Sequence, residues 1–163
     1  MTNAKKTVNP IPEGYHSVTP YITFKDTSKA IEFYKKALGA KELFAMRGPD
    51  GKVAHAELRI GNSNMMMADE FPQMGNKSAE TLGGSPVSLM VYVEDVDFVA
   101  KQVVAAGMKT VKEVATQFYG DRNGTFTDPF GLTWTIGTHV EDVSPEDMDK
   151  RAKAAMSGKS GCS

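Results

Sequence analysis

The stretch YHSVTPYITFKDTSKAIEFYKKALG, residues 15–39, holds the pattern that decides the fold. Its first part is rich in aromatic and β-branched residues and predicts a strand over Tyr15–Phe24. Its second part predicts a helix, because apolar residues form one stripe, Thr27 or Ser28 can cap the start and Gly39 ends it. The chain therefore opens with a strand that leads directly into a helix.

Three short strands are predicted after this helix, at Glu42–Met46, Val53–Ile60 and Met65–Ala68. The turns between them, GPDG and GNSN, contain the Gly, Asn and Asp residues of hairpin turns. A polar, glycine-containing loop follows at residues 71–85. The first part of the chain is therefore predicted to run strand, helix and three strands.

The same order of elements is predicted a second time. Residues Val87–Val93 (VSLMVYV) indicate a buried strand, and the next helix has apolar residues at helical spacing and stops at Gly107. Three further strands follow, at Thr110–Phe118, Thr125–Thr127 and Leu132–Ile136.

The two halves correspond by a nearly constant offset. Asp26 in KDTSKA matches Asp95 in EDVDFV, 69 positions later, and Met67 matches Thr135, 68 positions later. Such agreement indicates an internal repeat. The predicted fold class is α+β, with two βαβββ modules, which we call module one (residues 15–76) and module two (residues 84–141), in a single domain at residues 15–143.

The chain ends are predicted to lie outside this domain. Residues 1–14 and 157–163 are expected to be disordered, because they are polar or small and lack periodicity. A helix is predicted at residues 144–156, since Ser144 can cap it and Pro145 suits its first position. This helix is expected to cover a sheet or to dock on a partner chain, so a non-catalytic interaction module is one hypothesis.

Composition argues against several classes of function. The formal net charge is −1 with both signs interspersed, so neither nucleic acid nor a membrane is an expected partner. The first residues carry no apolar run that would form a secretory signal or a membrane span. The one cysteine, Cys162, cannot form an internal disulfide, and the cytoplasm is the expected compartment.

At this point the sequence resembles the vicinal oxygen chelate superfamily, which includes glyoxalases, bleomycin resistance proteins and dihydroxybiphenyl dioxygenases. The match covers roughly residues 15 to 150 and is most similar to the glyoxalase-like, PhnB-like subgroup. The resemblance implies that the two modules form a cup-shaped mixed sheet with helices outside, often in a homodimer. It is carried by VTPYITFKDTSKAIEFYKKALGA, VAHAELRIGNSNMMMADE, VYVEDVD and YGDRNGTFTDPFGLTWTIGTHVEDVSPEDM.

The resemblance also locates the positions at which metal-using members of the superfamily place four ligands. Those positions fall here on Thr19, Ser88, Met67 and Thr135. A divalent ion needs carboxylates or imidazoles to offset its desolvation, and these side chains supply neither. We therefore expect no metal and no other cofactor, and the metal-dependent activities of the superfamily become less favoured.

The preferred hypothesis is metal-independent binding of a small, aromatic organic molecule in the cup, for example sequestration of an antibiotic or toxin. Methionine and aromatic side chains adapt to such ligands. Met65 and Met67 share one strand face, which is taken to be the inner one, whereas Trp134 is expected to pack under a helix. The predicted ligand-binding residues are Thr19, Tyr21, Met65, Met67, Ser88, Met90, Tyr92, Phe118, Arg122 and Thr135.

The alternative hypothesis is a glyoxalase-like lyase or isomerase, or a dioxygenase, that uses His55 and Glu57. These residues lie two apart in a predicted strand and so share one face. They suit a general acid/base pair or a relocated divalent metal site, but equally a polar pair that orients a ligand. Arg122 in YGDRNG either binds an anion or pairs with an internal Asp, and His139 is expected to be solvated or to support a helix.

Overall fold

Each half of the chain folds into a strand, a helix and three more strands, as the sequence predicts. The computed structural model describes residues 8–157. In module one, β1 (Tyr21–Phe24) and α1 (Thr27–Leu38) precede β2 (Lys41–Arg47), β3 (Val53–Ile60) and β4 (Ser63–Asp69).

Module two repeats this order after a short 3-10 turn at Pro72–Met74 and the one-turn helix α2 (Ala79–Leu82). Its elements are β5 (Ser88–Tyr92), α3 (Val96–Ala106), β6 (Lys109–Thr116), β7 (Asp121–Thr127) and β8 (Thr133–His139). The chain separates into two compact units between Ser78 and Ala79. The predicted α+β class and the two βαβββ modules are confirmed.

The two modules have the same sheet topology. The strand order is β1-β4-β3-β2 in one four-stranded sheet and β5-β8-β7-β6 in the other. The first strand of each module runs parallel to the last, whereas the other pairings are antiparallel. Both sheets are therefore mixed: the helix carries the chain to the opposite edge of the sheet, and the following hairpins bring the last strand back beside the first, parallel to it.

The helices begin at matching positions, and the offset between them is 69. Asp26 Oδ1 accepts a hydrogen bond from Lys29 N at 3.0 Å, and Asp95 Oδ1 accepts one from Phe98 N at 3.0 Å. Asp26 is thus the N-cap of α1, and the expectation of a cap at Thr27 or Ser28 is wrong. An aspartate at this position satisfies an N–H group that has no partner within the helix.

One face of the module one sheet is covered by α1, and we call it the helix-covered face. Side chains from β1, β3 and β4 pack there against the apolar stripe of the helix. Its fully buried members are Phe24, Ala30, Ile31, Tyr34, Ala56, Leu58 and Met67. Because side chains alternate along a strand, the intervening residues lie on the opposite, helix-free face.

The position expected for Met65 and Met67 is wrong. Both side chains are buried on the helix-covered face, where Met67 is 0% exposed. Met67 is paired with Ala56 and Ile22, whereas Met66 is paired with Glu57 and Tyr21 on the helix-free face. The error is one residue, and a shift of one residue moves a side chain to the other face of the sheet.

Module two follows the expected register. Trp134 and Ile136 are buried with Phe126 on the face that α3 covers, so the prediction for Trp134 is confirmed. Met90 is paired with Thr135, which alternates with the buried Trp134 and Ile136. The helix-free face of this sheet carries Ser88, Met90, Tyr92, Thr125 and Thr135.

A C-terminal helix, α4, spans Pro145–Ser157, close to the predicted range. Ser144 Oγ accepts a hydrogen bond from Asp147 N at 3.1 Å and caps the helix as expected. Among residues 8–157, no helix is long and apolar enough to cross a membrane. The disorder expected for residues 1–7 and 158–163, including Cys162, concerns positions outside the described residues.

Candidate functional site

The helix-free face of module one presents one row of side chains that crosses all four strands. Tyr21 of β1 is paired with Met66 of β4, Met66 with Glu57 of β3, and Glu57 with Phe44 of β2. Met46 is paired with His55 in the adjacent row. We call these six residues the module one face.

Three of the four apolar side chains of the module one face are exposed to solvent. Tyr21 is 54% exposed, and Phe44 and Met46 are each 51% exposed. Between them, the side chains of His55 and Glu57 are half-buried. A polar pair among exposed aromatic and thioether groups combines apolar contact surface with groups that can fix the orientation of a ligand.

Three side chains of this face form a hydrogen-bonded chain. The Tyr21 hydroxyl lies 3.2 Å from His55 Nδ1, and His55 Nε2 lies 3.2 Å from Glu57 Oε1. An ionised carboxylate can only accept, so an imidazole protonated at Nε2 satisfies both contacts, with Nδ1 accepting from the tyrosine. The His55 ring also lies 5.7 Å from the Tyr21 ring and 6.3 Å from the Phe44 ring, between centroids.

Glu57 is ionised at neutral pH. The neighbouring Tyr15 hydroxyl, and after it the His55 ring, lower the pKa of its carboxyl, against the opposing effect of partial burial. Burial, and after it the Glu57 carboxylate, raise the pKa of Tyr15. Tyr15 Oη and Asn64 Nδ2 are both buried without a hydrogen bond of good geometry, so polar atoms on this side of Glu57 are incompletely satisfied.

Arg59 lies in the next row of the same face and is covered. Its Nε donates to Asn64 Oδ1 at 3.0 Å. Gly14, which has a φ of +80°, lies against the guanidinium, and a Cβ at this position would come within 2.6 Å of Arg59 Nη2. The backbone before β1 therefore shields this cation.

Module two has its own polar cluster, which lies where β5 and β8 end and β7 begins. The buried Asp121 accepts hydrogen bonds from the Tyr92 hydroxyl at 2.8 Å and from His139 Nδ1 at 2.8 Å. His139 Nε2 lies 3.0 Å from Asp142. Asp121, and after it Asp142, raise the pKa of His139, and Asp121 is also the first cause of the raised pKa of Tyr92. His139 is exposed, as expected for a solvated histidine, and neither of its two partners lies in a helix.

Arg122 does not lie on the helix-free face. Its guanidinium forms two hydrogen bonds with Asp97 of α3, at 2.8 Å from Nε and 2.7 Å from Nη2. Arg122 therefore pairs with Asp97 and not with the aspartate of YGDRNG, and β7 already begins at Asp121. Phe118 lies in the turn before β7, with its ring 5.2 Å from that of Tyr119.

The sequence matches a family model over residues 15–136, described as the Glyoxalase/Bleomycin resistance protein/Dioxygenase superfamily. The chain belongs to this superfamily. The resemblance described above is therefore confirmed.

Relatives in the superfamily are found by sequence and by structure. The uncharacterized protein Rv0887c of Mycobacterium tuberculosis is 40% identical over 144 residues, which cover 86% of this chain and 82% of that protein. The PhnB protein of Bacillus cereus has a TM-score of 0.60 and 17% identity, covering 76% of this chain and 99% of that one.

A third relative is the fosfomycin resistance protein FosX of Listeria monocytogenes, whose structure was solved as a mutant in complex with Mn(II) and dihydroxypropylphosphonic acid. It has a TM-score of 0.58 and 15% identity, covering 82% of this chain and 94% of that one. At this level of identity, the likeness to PhnB and FosX shows the shared fold.

The positions at which superfamily members hold a metal do not fit one here. In module one they are Thr19 and, after the correction of one residue, Met66; in module two they are Ser88 and Thr135. None supplies a carboxylate or an imidazole, and the Thr19 hydroxyl already donates to the carbonyl of His16 at 3.1 Å. Within residues 8–157, no group of three or more His, Cys, Asp or Glu side chains is placed to hold a metal ion.

The structure brings together only part of the predicted site. Tyr21, His55 and Glu57 meet on the module one face, and Met90, Thr135 and Ser88 lie on the helix-free face of module two. Sequence reasoning missed Tyr15, Phe44, Met46 and Met66. The available signal was the offset of 69 between Asp26 and Asp95, which maps Met66, not Met67, onto Thr135.

Proposed function

We propose that the protein binds a small, planar organic molecule on the module one face, without a metal ion. The observation that carries this proposal is the row of Tyr21, Met66, Glu57 and Phe44, which runs across all four strands. Aromatic side chains supply flat apolar surface, and methionines adapt to ligands of different shape. The half-buried pair of His55 and Glu57 orients the polar part of the ligand.

The exposure of this face supports a binding role over a purely structural one. Side chains that serve only to stabilise the sheet are buried under α1 on its other face. Tyr21, Phe44 and Met46 contribute little to that core, because about half of each remains in contact with solvent. A cluster of exposed apolar side chains often marks a site for a ligand or partner.

The concrete form of the proposal is sequestration of an antibiotic or another toxic aromatic compound. The superfamily description, which includes bleomycin resistance proteins, supports this proposal, and the fosfomycin resistance protein FosX has the same fold. Binding alone lowers the free concentration of such a compound, so sequestration needs no reaction at the site.

Acridine, a neutral planar probe, tests the proposal by isothermal titration calorimetry. We expect the double variant Tyr21→Ala/Phe44→Ala to lose most of its affinity, because both rings leave the site. Phe98→Ala is the matched control, since Phe98 is an exposed aromatic residue on α3, 64% exposed and outside the face. Failure of wild-type protein to bind the probe, or equal binding by the double variant, would contradict the proposal.

A second candidate function is acid/base catalysis by His55 and Glu57, as in a lyase, isomerase or dioxygenase with a non-standard site. The chain from the Tyr21 hydroxyl through His55 to the Glu57 carboxylate favours it, because such a chain can move a proton. The test is metal affinity, or turnover of a candidate substrate, in His55→Ala. If neither property differs between this variant and wild type, the enzyme hypothesis loses its specific residues.

A further inference from the structure

The sign of the charge on the module one face narrows the class of ligand. Glu57 is the charged member of the row of Tyr21, Met66, Glu57 and Phe44. In the described chain, His55 Nε2 lies 3.2 Å from its Oε1 and the Tyr15 hydroxyl neighbours the carboxyl, which together use only part of the acceptor capacity of two carboxylate oxygens. A half-buried carboxylate that keeps acceptor capacity next to open aromatic rings is suited to an N–H donor, and most strongly to a charged one.

The aromatic rings on either side of Glu57 also favour a positively charged ligand. A cation over the face of an aromatic ring is attracted by the negative potential of the ring, whereas an anion is repelled. Tyr21 and Phe44 are the nearest exposed rings, from β1 and β2 respectively. An ammonium or amidinium group close to Glu57 would therefore gain from the carboxylate and from these rings together.

The cations around this face are already engaged or lie at its margin. Arg59 donates to Asn64 and is shielded by Gly14. Arg47 is bonded to Glu42 at 3.4 Å, outside the row. Lys41 lies opposite Arg59 in the register of β2 and β3, on the edge strand of the sheet. A cationic ligand would thus point away from the Arg59 row and extend over the neighbouring row of His55 and Met46.

We propose that the ligand is a planar aromatic cation whose protonated nitrogen donates to the Glu57 carboxylate while its ring system contacts Tyr21, Phe44 and Met46. This inference rests on the proposed binding function and specifies the ligand class of the same site. Glu57 is accordingly the residue that selects for charge.

Three acridines of similar size and different charge test the inference at neutral pH: a cationic aminoacridine, neutral acridine and an anionic acridine carboxylate. We expect wild-type protein to bind the cation about tenfold more tightly than the neutral compound, because neutral acridine has no N–H group to donate to Glu57 and a tenfold preference corresponds to about 1.4 kcal/mol. The anion should bind most weakly. The preference for the cation should decrease as salt is added, because ions screen a partly exposed pair.

The variant Glu57→Gln removes the charge but keeps a polar side chain of the same shape. It should bind the cation and neutral acridine about equally. Glu94→Gln, an exposed residue of module two, makes the same change in net charge and should keep the preference. The melting temperature of each variant verifies that the fold is intact.

The outcomes separate this inference from the proposed function. Equal binding of the three acridines by wild-type protein, or tighter binding of the anion, overturns the cation inference and leaves the binding function standing. A preference that persists in Glu57→Gln overturns the role of Glu57, and a preference insensitive to salt overturns its electrostatic origin. If none of the three compounds binds, the proposed function itself fails.

Discussion

Met66 and Met67 are neighbours in the chain but belong to different surfaces. Met67 packs between α1 and the sheet, whereas Met66 lies on the module one face next to Glu57 and Tyr21. At the scale of one residue, the face on which a side chain lies alternates along the strand, and that face determines whether the side chain packs in the core or is exposed. The same substitution at these two methionines is therefore expected to change the stability of the protein by different amounts.

We expect Met67→Ala to lower the free energy of unfolding by about 2–5 kcal/mol, because it leaves a cavity in the core. Met66→Ala is the matched control and should cost less than about 1 kcal/mol, since its side chain is partly exposed. Urea unfolding monitored by circular dichroism measures both. Equal costs for the two variants would show that the register is wrong.

His139 gives a prediction about pH. Its pKa is raised by Asp121 and Asp142, above the ordinary value of 6.5 that applies in the unfolded chain. Its ion pairs therefore add stability that is complete below that ordinary value and is lost as pH rises through the folded-state pKa. The difference in the free energy of unfolding between wild type and His139→Gln should be larger at mildly acidic than at alkaline pH.

Asp142→Asn is the control for this prediction. It removes the second carboxylate but keeps Asp121, so it should reduce the pH-dependent difference without abolishing it. An NMR titration of the His139 ring follows the pKa directly. A folded-state pKa at or below the ordinary value would contradict the assignment.

The sequence predicts some of these residues well and others not at all. His55 and Glu57 were found because two positions on one strand always share a face. Phe44 and Met46 reach the same face through a β-bulge between Glu42 and Phe44, which shifts the pairing of β2 with β3. An irregularity of this kind has no sequence signal here, so its contribution to the face could not be foreseen.

At the scale of secondary structure elements, a residue from the last strand of each module accepts a hydrogen bond from the first residue of the long helix, α1 or α3. Asp69 accepts hydrogen bonds from Thr27 N at 2.7 Å and Val53 N at 2.9 Å. Thr138, 69 positions later, accepts from Val96 N at 3.0 Å and donates to Val93 O at 2.9 Å. The equivalent positions 69 and 138 therefore satisfy the same N–H group of the helix, one with a carboxylate and the other with a hydroxyl.

We expect Asp69→Ala to cost about 2–6 kcal/mol of unfolding free energy, because two buried N–H groups lose their acceptor at about 1–3 kcal/mol each. Asp26→Ala, which removes only the N-cap of α1, should cost about 1 kcal/mol. Chemical denaturation of the two variants provides the comparison. A larger cost for Asp26→Ala would contradict the importance given to Asp69.

The caps at Asp26 and Ser144 lie within a few residues of the N–H groups they satisfy, so a cap is a local feature, which the sequence placed correctly at Ser144 and one or two residues too late at α1. Asp69 lies 42 positions from Thr27. Its role depends on β4 being placed beside β1, which only the assembled sheet determines. For this reason the elements were predictable, whereas the anchor between them was not.

At the scale of the whole molecule, α4 is the element with the least support from its own chain. It has no buried residue, and Arg151 holds it through Glu141 at 2.6 and 2.8 Å and through the carbonyl of Phe118. We expect the protein to be a homodimer in which α4 contacts the partner chain. Deletion of residues 144–163 should then give a monomer by light scattering.

Arg151→Ala is a milder companion variant, because it releases α4 without removing it. It should weaken the dimer less than the deletion does. An identical molar mass for wild type and the deletion variant, whether monomer or dimer, would contradict this role of the helix.

The repeated order of elements is the part of the architecture that sequence reveals most reliably. It depends on many positions at once, so an error at one position does not alter it. A binding face depends on a few side chains whose orientation changes with every residue of register. This difference explains why the two modules were predicted correctly while Met65 and Met67 were assigned to the wrong side of a sheet.

The alternation of covered and open positions along β1–β4 has an evolutionary consequence. Selection for a stable chain acts on one set of residues, and selection for a new ligand acts on the residues in between. Substitutions at Tyr21, Phe44 or Met66 can therefore accumulate with little loss of folding free energy. A protein built in this way can change the chemistry of one exposed surface while its buried core stays intact.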